Sequence, residues 1–345
     1  MEQEHKRRVR YKGTHPRRFE EKYKELQPEK YQADVEKILE GGHTPAGMHI
    51  PIMVDEILDF LQIRPGQTGL DATLGYGGHT RKMLERLEGK GHLYATDVDP
   101  IESEKTRKRL EEAGYGPEIL TIRRMNFARL DEVAPEEQFD FVLADLGVSS
   151  MQIDNPERGF TFKQDGPLDL RLDPTAGVTA SQRLRELEED ELEAMLVENA
   201  DEPYADRIAR AVIRTYQRGG AIDTTRQLYA VIENALSFLP AGERKEAIKK
   251  SCQRTFQALR IDVNSEFEVL YEFLEKLPTV LKPGGRAAVL TFHSGEDRLV
   301  KKAFRQYCRE GVYSAVCEDV IRPSAQECFR NPRARSTKMR WAIRA

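Results

Sequence analysis

"DATLGYGGHT", from Asp71 to Thr80, decides the fold. It begins at the end of a short apolar run, "TGL", and leads into "RKMLERLEG", whose apolar spacing predicts an amphipathic helix closed by Gly89. Strand, glycine-rich turn and helix in succession open a βα unit. Glycines at 75, 77 and 78 remove Cβ atoms where the backbone must turn tightly and approach a ligand. The helix that follows offers free N–H groups. A Walker loop is excluded because no G-K-[ST] follows, and the dinucleotide pattern G-x-G-x-x-G fails at its third glycine, where Thr80 stands. The stretch reads as a nucleotide-type cofactor loop. A plain turn would account for one glycine more easily than for three.

The same rhythm continues outward. "GHLYATDVD" predicts a second strand, "PIESEKTRKRLEEAG" a helix stopped by Gly114, and "EILTIRRM" and "FDFVLADLG" two further strands. Strands alternating with helices of this length imply a parallel sheet. Between about Gln152 and Lys250 the segments "TASQRLRELEEDELEAMLVEN", "YADRIARAVIRTYQR" and "TTRQLYAVIENALSFL" are all helical. The βα pattern returns with a helix in "NSEFEVLYEFLEKLPTVL", a "KPGG" turn, a strand in "RAAVLTFHS", a helix in "GEDRLVKKAFRQYCREG" and a last strand in "STKMRWAIRA". The expected organisation is a basic polar extension (1–45), an α/β domain from 46–151 and 251–345, and an inserted helical domain (152–250).

The chain has 345 residues and a net charge of −4. No apolar run approaches a membrane span, and the basic N-terminus lacks the apolar core of a secretory signal. The expectation is a cytoplasmic protein without membrane attachment. Charge is unevenly placed: His5–Arg18 holds seven Lys or Arg and no acid, and Arg322–Ala345 holds seven with only Glu327 against them. Two basic ends suit a polyanion, and solvated tails suit them equally. The four cysteines form no C-x-x-C pair and no H-E-x-x-H occurs, so no metal site is expected.

In an open parallel sheet, ligands sit beyond the carboxyl ends of the strands. Asp97 and Asp99 compete there for ribose hydroxyls. Asp99 precedes Pro100 and reads as a helix N-cap with Pro at the first helical position, which leaves Asp97 as the ribose ligand. An adenosine-like cofactor without pyrophosphate points to S-adenosylmethionine, with a nicotinamide dinucleotide still open. Asp145, at the end of the fourth strand, would face the transferring methyl group. Ser294 and Asp297 read as a capping box with Glu296 suited to the helix start. His293 stands either as a core histidine or as a substrate contact. No cysteine follows a proline, which disfavours methylation of a pyrimidine carbon through a cysteine nucleophile and favours direct transfer to nitrogen or oxygen.

Taken together with "DLGVSSMQIDNPERGFTFKQDGPLDLRLD", "RTFQALRI", "LKPGGR", "FHSGEDRLVK" and "NPRARSTKMR", in that order, the stretch resembles the bacterial 16S rRNA cytosine-N4 methyltransferases. The resemblance covers the chain from about Met48. It implies a class I S-adenosylmethionine-dependent fold and methylation of N4 of a cytosine in the decoding region. It implies cofactor contacts at Gly77, Gly78, His79, Asp97, Phe127, Asp145 and Gln152. Asp145 and His293 are the candidates for orienting the cytosine amine and contacting the substrate. Arg333, Arg335 and Lys338 are the candidates for RNA phosphates. The implied partner is 16S rRNA or the small ribosomal subunit, with a homodimer left open. Departures from the family's pattern at "SSMQ", "HSGED" and "KSCQRTF" leave open a paralogue acting on another RNA nitrogen, or a non-catalytic assembly factor.

Overall fold

The computed structural model describes residues 51–136 and 138–345; the basic extension expected over 1–45 lies outside them. Pro51–Ala345 forms one compact unit. Its centre is a seven-stranded sheet of β1 (Thr68–Asp71), β2 (His92–Asp97), β3 (Leu120–Arg124), β4 (Phe139–Asp145), β5 (Leu281–Thr291), β6 (Tyr313–Val316) and β7 (Lys338–Arg344), ordered β3-β2-β1-β4-β5-β7-β6. The first five strands pair in parallel, and β7 is antiparallel to both β5 and β6. The chain leaves β1 towards β2 on one side and returns to β4 on the other. The crevice for a ligand therefore opens above β1 and β4.

Alternation of side chains buries both faces of the sheet. Val142 and Ala144 face the core that holds Phe273 and Leu277, and Phe141 and Leu143 face the one opposite. Phe139 joins the Val142 side because the β4–β5 register shifts between Phe139 and Phe141. The second face is covered by α1 (Val54–Leu61), α2 (Gly78–Leu87) and α3 (Pro100–Glu112), through Ile57, Leu61, Met83, Leu87 and Leu110. Helix α4 (Ser150–Asp154) then follows β4.

A third core belongs to the helices α5 (Ala180–Glu186), α6 (Glu189–Ala200), α7 (Ala205–Gln217), α8 (Thr225–Ala235) and α9 (Ala241–Asn264). Leu184, Leu196, Ile208, Ile232 and Leu259 meet there. The boundary expected at 250/251 falls inside α9, which runs unbroken for 24 residues. Nothing between Lys250 and Ser251 stops it, and its residues as far as Leu259 pack into the helical core. The chain returns to the sheet through α10 (Glu266–Val280), and α11 (Ser294–Arg309) and the short α12 (Ala325–Arg330) complete the set.

Two other expectations are corrected. Strand β6 has no counterpart in the sequence reading: four residues entered from Gly311 give too little alternation to register. The "KPGG" turn is absorbed into β5, where Leu281 pairs with Phe139 before the register slips.

Candidate active site above β1 and β4

The opening loop is tied down on every side. Leu74 N–H donates to the Thr96 carbonyl (2.8 Å), and the Thr106 hydroxyl donates to the Gly75 carbonyl (2.6 Å). Gly77 has φ +82°, and a Cβ there would sit 2.7 Å from the Thr106 methyl. Both backbone handedness and space exclude a side chain. Gly78 begins α2. Asp71 braces the loop from below: its carboxylate accepts from Thr73 N–H (3.1 Å) and from the Thr80 hydroxyl (2.6 Å).

The two acids of "TDVD" differ in the lone pairs they leave free. Asp99 is saturated. One oxygen accepts from the N–H groups of Ile101 (2.9 Å) and Glu102 (3.2 Å), as an N-cap does. The other accepts from Arg158 (2.6 Å) and from the Gln152 amide (2.9 Å). Among the described residues Asp97 accepts only Gly75 N–H (2.7 Å) and Asp99 N–H (2.8 Å), one on each oxygen, so each oxygen keeps a lone pair. Burial pushes its carboxyl up to about 6.

Asp145 ends β4 beside this loop. The Thr73 hydroxyl lies 2.7 Å from its backbone N–H. One carboxylate oxygen lies 3.4 Å from His79 Nδ1, and His79 Nε2 lies 2.9 Å from the Ile52 carbonyl. That carbonyl is acceptor-only, so Nε2 carries the hydrogen and Nδ1 presents its lone pair or a second proton to Asp145. The other oxygen, Oδ1, is buried and has no hydrogen-bond partner among the described residues. Burial pushes this carboxyl up to about 6, with Asp71 and Glu296 adding to the rise and His79 opposing it.

Three carboxylates around one glycine loop, Asp71 buried and Asp97 and Asp145 half-buried, make a poor cradle for phosphate and a good one for a cation. A sulfonium cofactor fits the charge, and the free lone pairs of Asp97 fit a ribose diol. The open alternative of a nicotinamide dinucleotide would bring a pyrophosphate against Asp97 and Asp145.

The remaining candidates fall into two groups. Phe127 begins the turn after β3 and packs edge-on against Phe273, with centroids 5.2 Å apart, at the same sheet edge. Gln152 accepts from Ser149 N–H (2.9 Å) and donates to Asp99, so it locks the β4 loop to the β2 loop. His293 lies three residues beyond Leu290, the register partner of Asp145, with Nε2 3.2 Å from Glu296 and its ring against Phe267. The expected capping box is not formed. His293 is the N-cap of α11 without a side-chain bond, Glu296 accepts from Phe292 N–H (2.9 Å), and Asp297 pairs with Arg340 (2.7 Å) and Lys338 (3.0 Å). Arg333 donates to both oxygens of Asp154 (2.9 and 3.0 Å). Of the three expected phosphate ligands, Arg333 and Lys338 are thus held by internal carboxylates, and Arg335 is exposed.

Two groups escape the sequence reading. Arg158 is buried and donates to Asp99 and to the carbonyls of Arg171 (3.0 Å) and Leu172 (2.9 Å), joining the cofactor loops to the approach of the helical core. Its only signal is an arginine inside "NPERGF". The second group is a buried network beside Asp145. Glu266, His293 and Glu296 place ligand atoms within 4.8 Å of one another, the spacing a cation would need. Arg260, however, already donates to both oxygens of Glu266 (2.7 and 2.9 Å) and supplies the positive charge there.

The MraW methylase family model matches residues 46–345. The chain belongs to the MraW methylase family. The chain is 66% identical over its whole length to "Ribosomal RNA small subunit methyltransferase H 1" of Agathobacter rectalis, covering 99% of that protein. It is 63% identical to "Ribosomal RNA small subunit methyltransferase H 2" of Alkaliphilus metalliredigens, covering 100% of this chain and 99% of that one. With "Ribosomal RNA small subunit methyltransferase H" of Koribacter versatilis it shares 40% identity over 86% of this chain and 94% of that one. Membership makes the sheet a class I methyltransferase sheet and S-adenosylmethionine its cofactor, in keeping with the charge of the crevice. Among the described residues, no helix is long and apolar enough to cross a membrane.

Proposed function

We propose that this MraW-family enzyme methylates N4 of a cytosine in the small-subunit rRNA. The observation that carries the reading is the buried, unpartnered Oδ1 of Asp145 at the head of β4. The exocyclic amine of cytosine is a weak nucleophile because its lone pair is delocalised into the ring. Asp145 Oδ1 accepts one amine N–H, which turns the lone pair out of conjugation and holds the amine in line. S-adenosylmethionine, when bound, supplies an electrophilic methyl group on a sulfonium centre. Asp97 receives the ribose hydroxyls, Gly77 and Gly78 let the backbone approach, and Phe127 lines the adenine side. His79 fixes Asp145 from the Ile52 carbonyl. Gln152 acts through Asp99, positioning the loop.

After transfer the amine carries one proton too many. Asp145, whose carboxyl is pushed up to about 6, is basic enough to take it. The target base must leave its stack to reach this depth. His293 and the Glu266–Arg260–Glu296 network border the side of the crevice next to β5 and contact the base. The helices α5 to α9, tied to the cofactor loops through Arg158, recognise the surrounding RNA. An enzyme acting on rRNA in this way would work in the cytoplasm.

The test is a strain lacking this gene, its small-subunit rRNA examined by mass spectrometry. Loss of one N4-methylcytidine, restored by the wild-type gene and not by Asp145→Asn, supports the reading. An unchanged modification profile refutes it and favours the paralogue or assembly-factor alternative.

A further inference from the structure

The two arginines and lysine expected to bind phosphates near the C-terminus are largely consumed by internal ion pairs. A different cationic surface remains. Helix α11 buries Glu296, Val300 and Phe304 against the sheet. On its opposite side Arg298, Lys301, Lys302, Arg305 and Arg309 share one surface depression with Gln306. At 100° per residue these five cations fall within about a third of the helix circumference. None forms an ion pair among the described residues, whereas Asp297, on the same helix, is paired by Lys338 and Arg340. All but Lys301 are exposed. Like charges at these spacings repel one another, so the stripe costs stability in the free protein. It lies on a chain of net charge −4, so composition does not explain it.

The placement gives it a use. Ser294 starts α11 directly after β5, at the edge of the crevice that holds Asp145. From Arg298 to Arg309 the stripe runs about 16 Å away from that edge. We propose that this face of α11 binds the phosphodiester backbone of the substrate RNA and sets the register in which the target base enters the crevice. Phosphates favour such a row of Lys and Arg because each contact releases a condensed counterion. The inference rests on the proposed rRNA reaction.

The experiment uses the full chain with all three of Arg298→Gln, Lys302→Gln and Arg305→Gln. Glutamine keeps helix propensity, and a thermal melt confirms that the exposed substitutions leave the fold intact. Lys108→Gln, exposed on α3 beside Glu104, serves as the comparison. Binding to 16S rRNA transcript is measured across a salt series. Loss of three phosphate contacts lowers the slope of log K against log salt by about 2 and weakens binding about 100-fold at 0.1 M salt. The KM for RNA rises, kcat is retained, and S-adenosylmethionine affinity is unchanged. A slope equal to the wild type's overturns the proposal. So does a defect confined to assembled small subunits with naked rRNA bound normally, which would assign the face to a protein. Failure of the underlying reaction shows separately, as wild-type enzyme that yields no N4-methylcytidine.

Discussion

Replacing Asp145 with asparagine should make the protein more stable and nearly inactive. The asparagine keeps the shape of the carboxylate, and its amide can donate to His79 Nδ1 in place of the Asp145–His79 contact. It removes a charge that the fold holds at a cost, because burial raises the carboxyl from an ordinary 3.8 to about 6. At about 1.4 kcal/mol per pH unit, the penalty is about 3 kcal/mol at neutral pH. The side chain keeps 24% of its surface open to the crevice, which screens part of this, so about 1–3 kcal/mol is expected. For a chain of 345 residues that raises the melting temperature by roughly 1–4 °C. The sign with pH follows from the direction of the shift. Between about pH 4 and 6 the folded state binds the proton more tightly than the unfolded state, so the wild type loses stability as pH rises through this window. The gain of the variant is therefore full above pH 6 and gone near pH 4. Calorimetric melts at pH 7.5 and pH 4.5, with single-turnover transfer to 16S rRNA, make the assay. Transfer falls by about 100-fold or more, the usual loss of one transition-state hydrogen bond, with cofactor binding intact. A variant no more stable than wild type at pH 7.5, or one with near-normal transfer, would refute the reasoning.

Other consequences are more local. Wild-type kcat should fall as pH drops through about 6, where Asp145 gains the proton that blocks its role as acceptor; a profile flat down to pH 5 would contradict this. Asp97→Asn should weaken S-adenosylmethionine binding at least 10-fold by calorimetry while melting near the wild-type temperature, because relief of the desolvated charge is offset by loss of one of its two backbone N–H acceptors. Asp99→Asn should do the reverse: it leaves the buried Arg158 charge without its partner, at a cost of about 3–5 kcal/mol read by urea unfolding. Gly77→Ala forces a Cβ to within 2.7 Å of Thr106 in a left-handed backbone, so cofactor binding should be lost before the fold is.

What was legible in the sequence was local. Three glycines after an apolar run give a cofactor loop, and a proline after Asp99 gives a cap, which isolates Asp97. What was not legible joins residues far apart. Arg158 meets Asp99 across 59 positions, and no periodicity links them. Arg260, Glu266, His293 and Glu296 converge from three helices and a strand end, and the capping box read from "HSGED" was overridden because Asp297 turns to Lys338 and Arg340, which the stretch itself does not contain. The internal pairing of Arg333 and Lys338 was hidden for the same reason. A charge looks free until the acid facing it is known, and Asp154 faces Arg333 from 179 positions away. The basic face of α11 was hidden differently, since in sequence its cations alternate with the apolar residues that bury the other side.

In the proposed reaction this crevice moves a methyl group onto the exocyclic nitrogen of a cytosine under the hand of Asp145. Purified enzyme, S-adenosylmethionine with an isotopically labelled methyl group, and small-subunit rRNA from a strain lacking the gene test it in one digestion, read by mass spectrometry. The expected result is label in N4-methylcytidine at a single position, absent with Asp145→Asn. Label on any other nucleoside, or undiminished label with the asparagine variant, would contradict it.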